Sequence, residues 1–250
     1  MKSTCAQTMK KFLFLAFALP TAALASSAMH LDTAPINLND QESLQRGAGV
    51  FVNYCLNCHS AGYMRYSRMT DIGLSEAQIK DNLLFATDKP GNLMTVAMRG
   101  KDAKEWFGAA PPDLSVITRS RGADWVYTYL RSFYRDDSRT TGWNNRVFDK
   151  VGMPHVLQEL QGHMAPVYHA EQGEDGKTHQ VLDHLQLVKP GKLTLAEYDA
   201  LTADLVNYLA WVGEPAKGQR MTTGLLVVLF LSLFFVAAFY LKKEFWKDVH

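Results

Sequence analysis

A chain of 250 residues with 47% hydrophobic content is long enough to bury one good core and to carry one attached module. Its formal charge of +1 conceals an asymmetry: residues 26–220 hold 20 Lys and Arg against 23 Asp and Glu, and the basic surplus lies at the two ends. This excludes the basic stripe of a nucleic-acid binder, so no nucleic-acid partner is expected, and the small negative balance is too weak to steer a partner alone.

At the N-terminus, Lys10 and Lys11 precede an apolar run over 12–24, and Ala23-Leu24-Ala25 supplies a small-x-small cleavage pattern. Residues 1–25 therefore read as a cleaved export signal, with the mature chain starting near Ser26. The run is short for a membrane span. Cys5 leaves with the signal, so Cys55 and Cys58 remain and no disulfide framework is expected.

Asn39 is placed to cap a helix, with Glu42 completing a start resembling a capping box. Leu44, Ala48, Phe51, Val52 and Cys55 then recur at helical spacing. Gly47 and Gly49 either loosen the start of this helix or let another helix approach closely. The helix delivers Cys55-Leu-Asn-Cys58-His59. Two cysteines two residues apart, followed at once by histidine, form the attachment signature of a c-type haem. The thiols add to the haem vinyl groups, and the imidazole supplies the proximal axial ligand to iron. A closed zinc site needs four ligands, and no second Cys or His pair completes one. A redox dithiol belongs in a βαβ setting, which is not found around this motif. One covalently bound haem c, with its iron, is therefore expected at Cys55, Cys58 and His59. Export agrees with that chemistry, which belongs to the bacterial periplasm.

Short helices are expected over 75–85 and 124–133. A T-x-x-E box at Thr194 and Glu197 opens a closing helix with Leu201, Leu205, Tyr208, Leu209 and Val212 on one face, ended by Gly213 and Pro215. No alternating strand series or internal repeat is present, and 171–189 reads as a polar hairpin or surface loop. The expected fold class is all-α: a mostly helical cytochrome c-like domain with long loops, plus one C-terminal transmembrane helix.

The second axial ligand is open from the residues alone. A methionine sulfur raises the haem potential and suits electron transfer. Met94 and Met98 have the spacing of a packed helical face, and Met64 and Met69 lie too near His59 in the chain. Met153 and Met164 each precede a proline-stiffened loop, and His155, His163 and His169 are further candidates.

Residues 224–241 form an uncharged run of eighteen, about 27 Å as a helix, and 221–223 can extend it. Lys242, Lys243 and Lys247 follow, which places that end in the cytoplasm, and Tyr240 and Trp246 suit the interface. The expected organisation is a signal over 1–25, a periplasmic haem domain over 26–220, a span over 221–241 and a cytoplasmic tail over 242–250. The protein is then single-pass in a bacterial inner membrane.

Three stretches carry a family resemblance. They are Cys58-His-Ser60 with Tyr63 and Tyr66; Pro111-Pro-Asp-Leu-Ser115 with Arg119 and Arg121; and Tyr208-Leu-Ala-Trp211 through Glu214-Pro215. Over nearly all of 35–250 the chain resembles the cytochrome c1 family, the haem subunit of quinol–cytochrome c oxidoreductase (the bc1 complex). The resemblance implies thioether bonds at Cys55 and Cys58, His59 as proximal ligand, and Arg121 paired with a haem propionate. It also implies Met153 as sixth ligand. Gly152-Met-Pro-His155 resembles the ligand loop of the family's shorter bacterial branch, and Val147-Phe148 resembles its lead-in. Met164-Ala-Pro-Val167 resembles the M-A-P-P string of other relatives and makes Met164 the runner-up.

The implied partners are cytochrome b, where the quinol chemistry sits, the Rieske iron–sulfur protein as donor, and a soluble or membrane-bound cytochrome c as acceptor. The chain itself is then an electron carrier with no catalytic residue. The competing readings are a haem subunit of a terminal oxidase, a free membrane-anchored cytochrome c, and a haem sensor or enzyme with an open sixth site.

Overall fold

The computed structural model describes residues 30–172 and 176–248, so the expected export signal lies outside the described residues. Helix α1 spans Gln41–Val50. Its cap is Asp40 and not Asn39: Asp40 Oδ1 accepts from Ser43 N at 3.0 Å, whereas the Asn39 N–H is turned back onto Asn37 Oδ1. Glu42 closes no capping box and faces Arg46 at 3.8 Å. An Asx side chain satisfies a first-turn N–H only from the residue next to the helix, and Asp40 occupies that place. The helix widens into a π turn, Phe51–Cys55, and the motif leaves from its end.

Helix α1 crosses a long helix whose start is the expected box. Thr194 Oγ1 accepts from Glu197 N, and Glu197 Oε2 accepts from Thr194 N at 2.8 Å. Gly47 lies at the crossing. A Cβ there would sit 2.1 Å from Asp204 O and 2.6 Å from Tyr208 Cβ, so the close approach requires glycine, while Gly49 has nothing near it. Leu44, Ala48, Phe51 and Val52 are buried against Leu205, Tyr208, Leu209 and Val212. Burying each large side chain of this set contributes about 1.5–3 kcal/mol.

Between the two crossing helices the chain forms β1 (Ala61–Arg65), a 3-10 segment (Tyr66–Ile72), α2 (Glu76–Asn82), β2 (Leu93–Met94), α3 (Gly100–Phe107), α4 (Ile117–Arg121) and α5 (Ala123–Arg131). It continues through β3 (Phe133–Arg135), β4 (Trp143–Asn145), α6 (Gln158–Gln161), β5 (Gly162–Gln172) and β6 (Thr178–Pro190), reaching the closing helix α7 (Leu195–Gly213). The helices expected over 75–85 and 124–133 are present in shorter form. Met94, expected on a helical face, is instead fully buried on β2.

The all-α expectation holds only in part. Helix predominates, but β1 pairs with β2, β3 with β4 and β5 with β6, all antiparallel. The β5–β6 hairpin starts nine residues before the polar stretch read from the sequence, and it takes in Met164. Most of its outer residues are exposed on both faces, so no apolar alternation marks it as strand. Its base is pinned to α6, with Lys192 N on Glu159 O and Leu193 N on Leu160 O. Gly162 (φ +94°) takes a left-handed conformation there, with Lys189 O too close for any side chain.

The segment ahead of α1 is strapped to the helices. Asp32 N donates to Thr128 Oγ1, Ala34 N to Asp124 Oδ1 and Asn37 N to Asn207 Oδ1. Arg131 joins Asp32 and Asp199 at 2.6 Å each, tying that strap to α5 and α7. An Arg220–Glu214 ion pair ties the first turn of α8 (Lys217–Phe245) back to the end of α7, and α8 runs for 29 residues, about 43 Å, with no buried residue. It is long and apolar enough to cross a membrane, and it fits a C-terminal anchor.

Candidate haem site

The π turn ends in a tight bend in which Cys58 N and His59 N both donate to Cys55 O, at 3.0 and 2.8 Å. Cys55 is buried, Cys58 half-buried, and both sulfurs are unpaired. Burial pushes the Cys55 thiol up to about 12 and raises that of Cys58, so both stay protonated at neutral pH. Burial also lowers the His59 pKa, opposed in part by the Pro112 carbonyl and the Asp113 charge. His59 Nδ1 lies 2.7 Å from Pro112 O. A carbonyl can only accept, so Nδ1 carries the proton and Nε2 is left as a free base. A neutral imidazole fixed through its other nitrogen is what iron ligation needs.

The Pro-Pro-Asp-Leu-Ser segment holds that carbonyl in place. Asp113 Oδ2 accepts from Gly62 N at 2.8 Å and Ser115 Oγ accepts from Tyr63 N at 3.0 Å. Leu114 N donates to Ser60 O at 2.8 Å, and Asp113 Oδ1 takes the Ser115 N–H. The residues just after the motif, 60–63, and the residues just after Pro112, 113–115, thus lock together beside the His59 contact.

A second set of side chains is built on α5. Tyr129 Oη donates to Met153 Sδ at 3.3 Å. Burial lifts the Tyr129 hydroxyl above its usual range, so it remains a donor. The Tyr129 ring stacks on Trp125 at 4.9 Å and 11°, and the Arg121 guanidinium lies 5.2 Å over Trp125. Arg121 is exposed and pairs with no carboxylate among the described residues. Arg119 lies instead beside Gly213, on the side of α7.

One segment touches both sets. Gly152, next to Met153, faces Phe107 O so closely that a Cβ would sit 2.8 Å from it, and five residues later Pro112 O receives His59. Five residues span at most about 18 Å, so the Met153 loop and His59 flank the same short stretch.

The other candidates are placed differently. Met164 is buried on β5 opposite Leu187. Met69 and Met94 both present their sulfurs to the single Tyr208 hydroxyl inside the core, at 3.7 and 3.6 Å. His155 is held flat against Phe133 at 4.8 Å, and burial pushes its pKa down to about 4. His163 meets Trp143 edge-on, and His169 is exposed, 3.9 Å from Asp183. Sequence reasoning missed Tyr129, Trp125, Asp113 and Ser115 as working parts of the site. Only the Pro-Pro-Asp-Leu-Ser string offered a signal.

Among the described residues no group of three or more His, Cys, Asp or Glu is arranged to hold a bare metal ion. One imidazole and one thioether are a donor set for an iron whose other four positions come from a macrocycle. An unpaired arginine beside an aromatic wall suits that macrocycle's carboxylates.

Residues 32–249 match the Cytochrome C1 family. The cytochrome c1 of Allochromatium vinosum is 49% identical over 246 residues, covering 97% of this chain and 100% of that protein. The ammonia monooxygenase gamma subunit of Nitrosomonas europaea is 50% identical over 248 residues, covering 97% and 99%. The cytochrome c1 of Rhodospirillum rubrum is 28% identical over 240 residues, covering 84% and 83%.

Proposed function

The chain belongs to the cytochrome c1 family, the haem-bearing electron-transport subunits of bc1 complexes, and we propose from that premise how its residues hold the haem and whom it serves. The observation that carries the function is the family match across residues 32–249, at 49% identity to a bacterial cytochrome c1 along its whole length.

A haem c supplies a one-electron couple when bound; the rest falls to this chain. Cys55 and Cys58 are the two points of covalent attachment for a single haem. His59 provides the proximal nitrogen, kept neutral by burial and aimed by the Pro112 carbonyl. Met153 would supply a thioether sulfur as the second iron ligand, and Tyr129 orients that sulfur. Arg121 pairs with a propionate from its seat over Trp125. The buried side chains of α1, α5 and α7 would shield a bound haem from water, a burial that favours a higher potential. No acid, base or nucleophile is required.

The haem domain, residues 26–220, stands in the periplasm above a span at 221–241, with 242–250 in the cytoplasm. Cytochrome b packs against that span within the membrane. The Rieske iron–sulfur protein delivers single electrons, and a soluble or membrane-bound cytochrome c removes them. Purification through a C-terminal tag tests this assignment. Cytochrome b and a Rieske protein are expected with the chain, together with a haem whose ferrous form barely binds carbon monoxide. Recovery of a copper oxidase or a monooxygenase without cytochrome b overturns the bc1 assignment, and rapid stoichiometric carbon monoxide binding points to an open sixth site.

A further inference from the structure

The loop that carries Met153 is organised by two neighbouring asparagines at the end of β4. Asn145 is 1% exposed. Its Nδ2 donates to Tyr129 O at 2.8 Å, and its Oδ1 accepts from Val147 N at 2.8 Å and Phe148 N at 3.2 Å. Asn144 Oδ1 takes the N–H groups of Asn145 and Lys150, while its Nδ2 donates to Asp136 and Asp149. Lys150 has φ +58°, a left-handed conformation that a non-glycine residue adopts only when its surroundings impose it. The loop is thus bent sharply three residues before Met153 by bonds that converge on these amides.

We propose that Asn145 is a positioning residue for the electron-transfer site, locking the backbone of Tyr129 to the loop that presents Met153. The contacts close a ring. Asn145 joins the carbonyl of Tyr129 to the start of the loop, and the hydroxyl of Tyr129 reaches the sulfur further along it. A tyrosine can tune a methionine sulfur only while its own backbone keeps its place relative to that sulfur. An apolar residue cannot replace the amide without cost, because Val147 N and Phe148 N would lose their side-chain acceptor and Tyr129 O would keep only Ser132 N. The proposal rests on Met153 being the axial ligand.

The test uses the full chain, loaded with haem, in its membrane complex. In Asn145→Ala and the milder Asn145→Ser, we expect the ferric methionine–iron charge-transfer band to weaken. Carbon monoxide should bind the ferrous haem about tenfold faster, the factor that one lost buried hydrogen bond carries. Potential shifts of Asn145→Ala and Tyr129→Phe should combine non-additively, because both act on one contact. Met153→Leu runs alongside. If it keeps the band, the ligand reading itself falls. If it loses the band while both Asn145 variants keep wild-type band, carbon monoxide rate and potential, the ligand reading survives and the positioning role is overturned. Variants that fail to assemble holoprotein, with no soluble form showing the altered band, also overturn it and assign Asn145 to folding.

Discussion

Tyr129 Oη donates a hydrogen bond to Met153 Sδ at 3.3 Å. A thioether sulfur has two lone pairs, so it can face an iron with one and accept from the hydroxyl with the other. The bond draws electron density from the sulfur and makes it a weaker donor to ferric iron. Tyr129→Phe should therefore lower the haem midpoint potential. One neutral hydrogen bond corresponds to about 20–60 mV for a one-electron couple. Redox titration checks this, and an unchanged or raised potential contradicts it.

Exchanging the two methionines in turn separates the ligand candidates. Met153→Leu should abolish the ferric methionine–iron band and open the haem to carbon monoxide. Met164→Leu should leave both unchanged and cost about 1 kcal/mol or less in stability, since it is a near-isosteric swap on a buried strand position. The reverse pattern transfers the role to Met164.

The arginines after the Pro-Pro-Asp-Leu-Ser string should differ in the same way. On the proposed pairing of Arg121 with a propionate, Arg121→Gln leaves that carboxylate uncompensated, which favours the ferric form. The potential should fall by about 10–45 mV and the shift should shrink with added salt. Arg119→Gln, on the α7 side, should leave the potential in place. Equal shifts in both would show a general surface-charge effect.

The two glycines of α1 predict opposite outcomes. Gly47→Ala drives a methyl into Asp204 O and should destabilise the fold by about 1–3 kcal/mol. Gly49→Ala meets nothing and should stabilise the helix by about 0.5–1 kcal/mol. Thermal unfolding of the holoprotein ranks the two directly.

What the sequence made legible was contiguous. The C-x-x-C-H motif, the capping box at Thr194 and Glu197, and the apolar run of 224–241 each place their chemistry within a few residues. The cap at Asp40 was missed by one position because Asn39 beside it has the same capping chemistry. The β5–β6 hairpin was only half seen, since exposure on both faces removes the alternation that betrays a strand. The supports of the site were invisible for a different reason. Tyr129 acts on Met153 across 24 residues, Asn145 on Tyr129 across 16 and Asp113 on Gly62 across 51. Each is an ordinary polar or aromatic residue until the fold brings it to its partner.

The proposed role of this chain is to pass electrons from quinol oxidation to a cytochrome c. Its most direct test is a stopped-flow record of the haem band in the tagged, purified complex after quinol is added. This haem should be reduced at least as fast as cytochrome c, and Cys58→Ala, which removes one proposed attachment point, should cut cytochrome c reduction sharply. Cytochrome c reduction at full rate while this haem stays oxidised would contradict it.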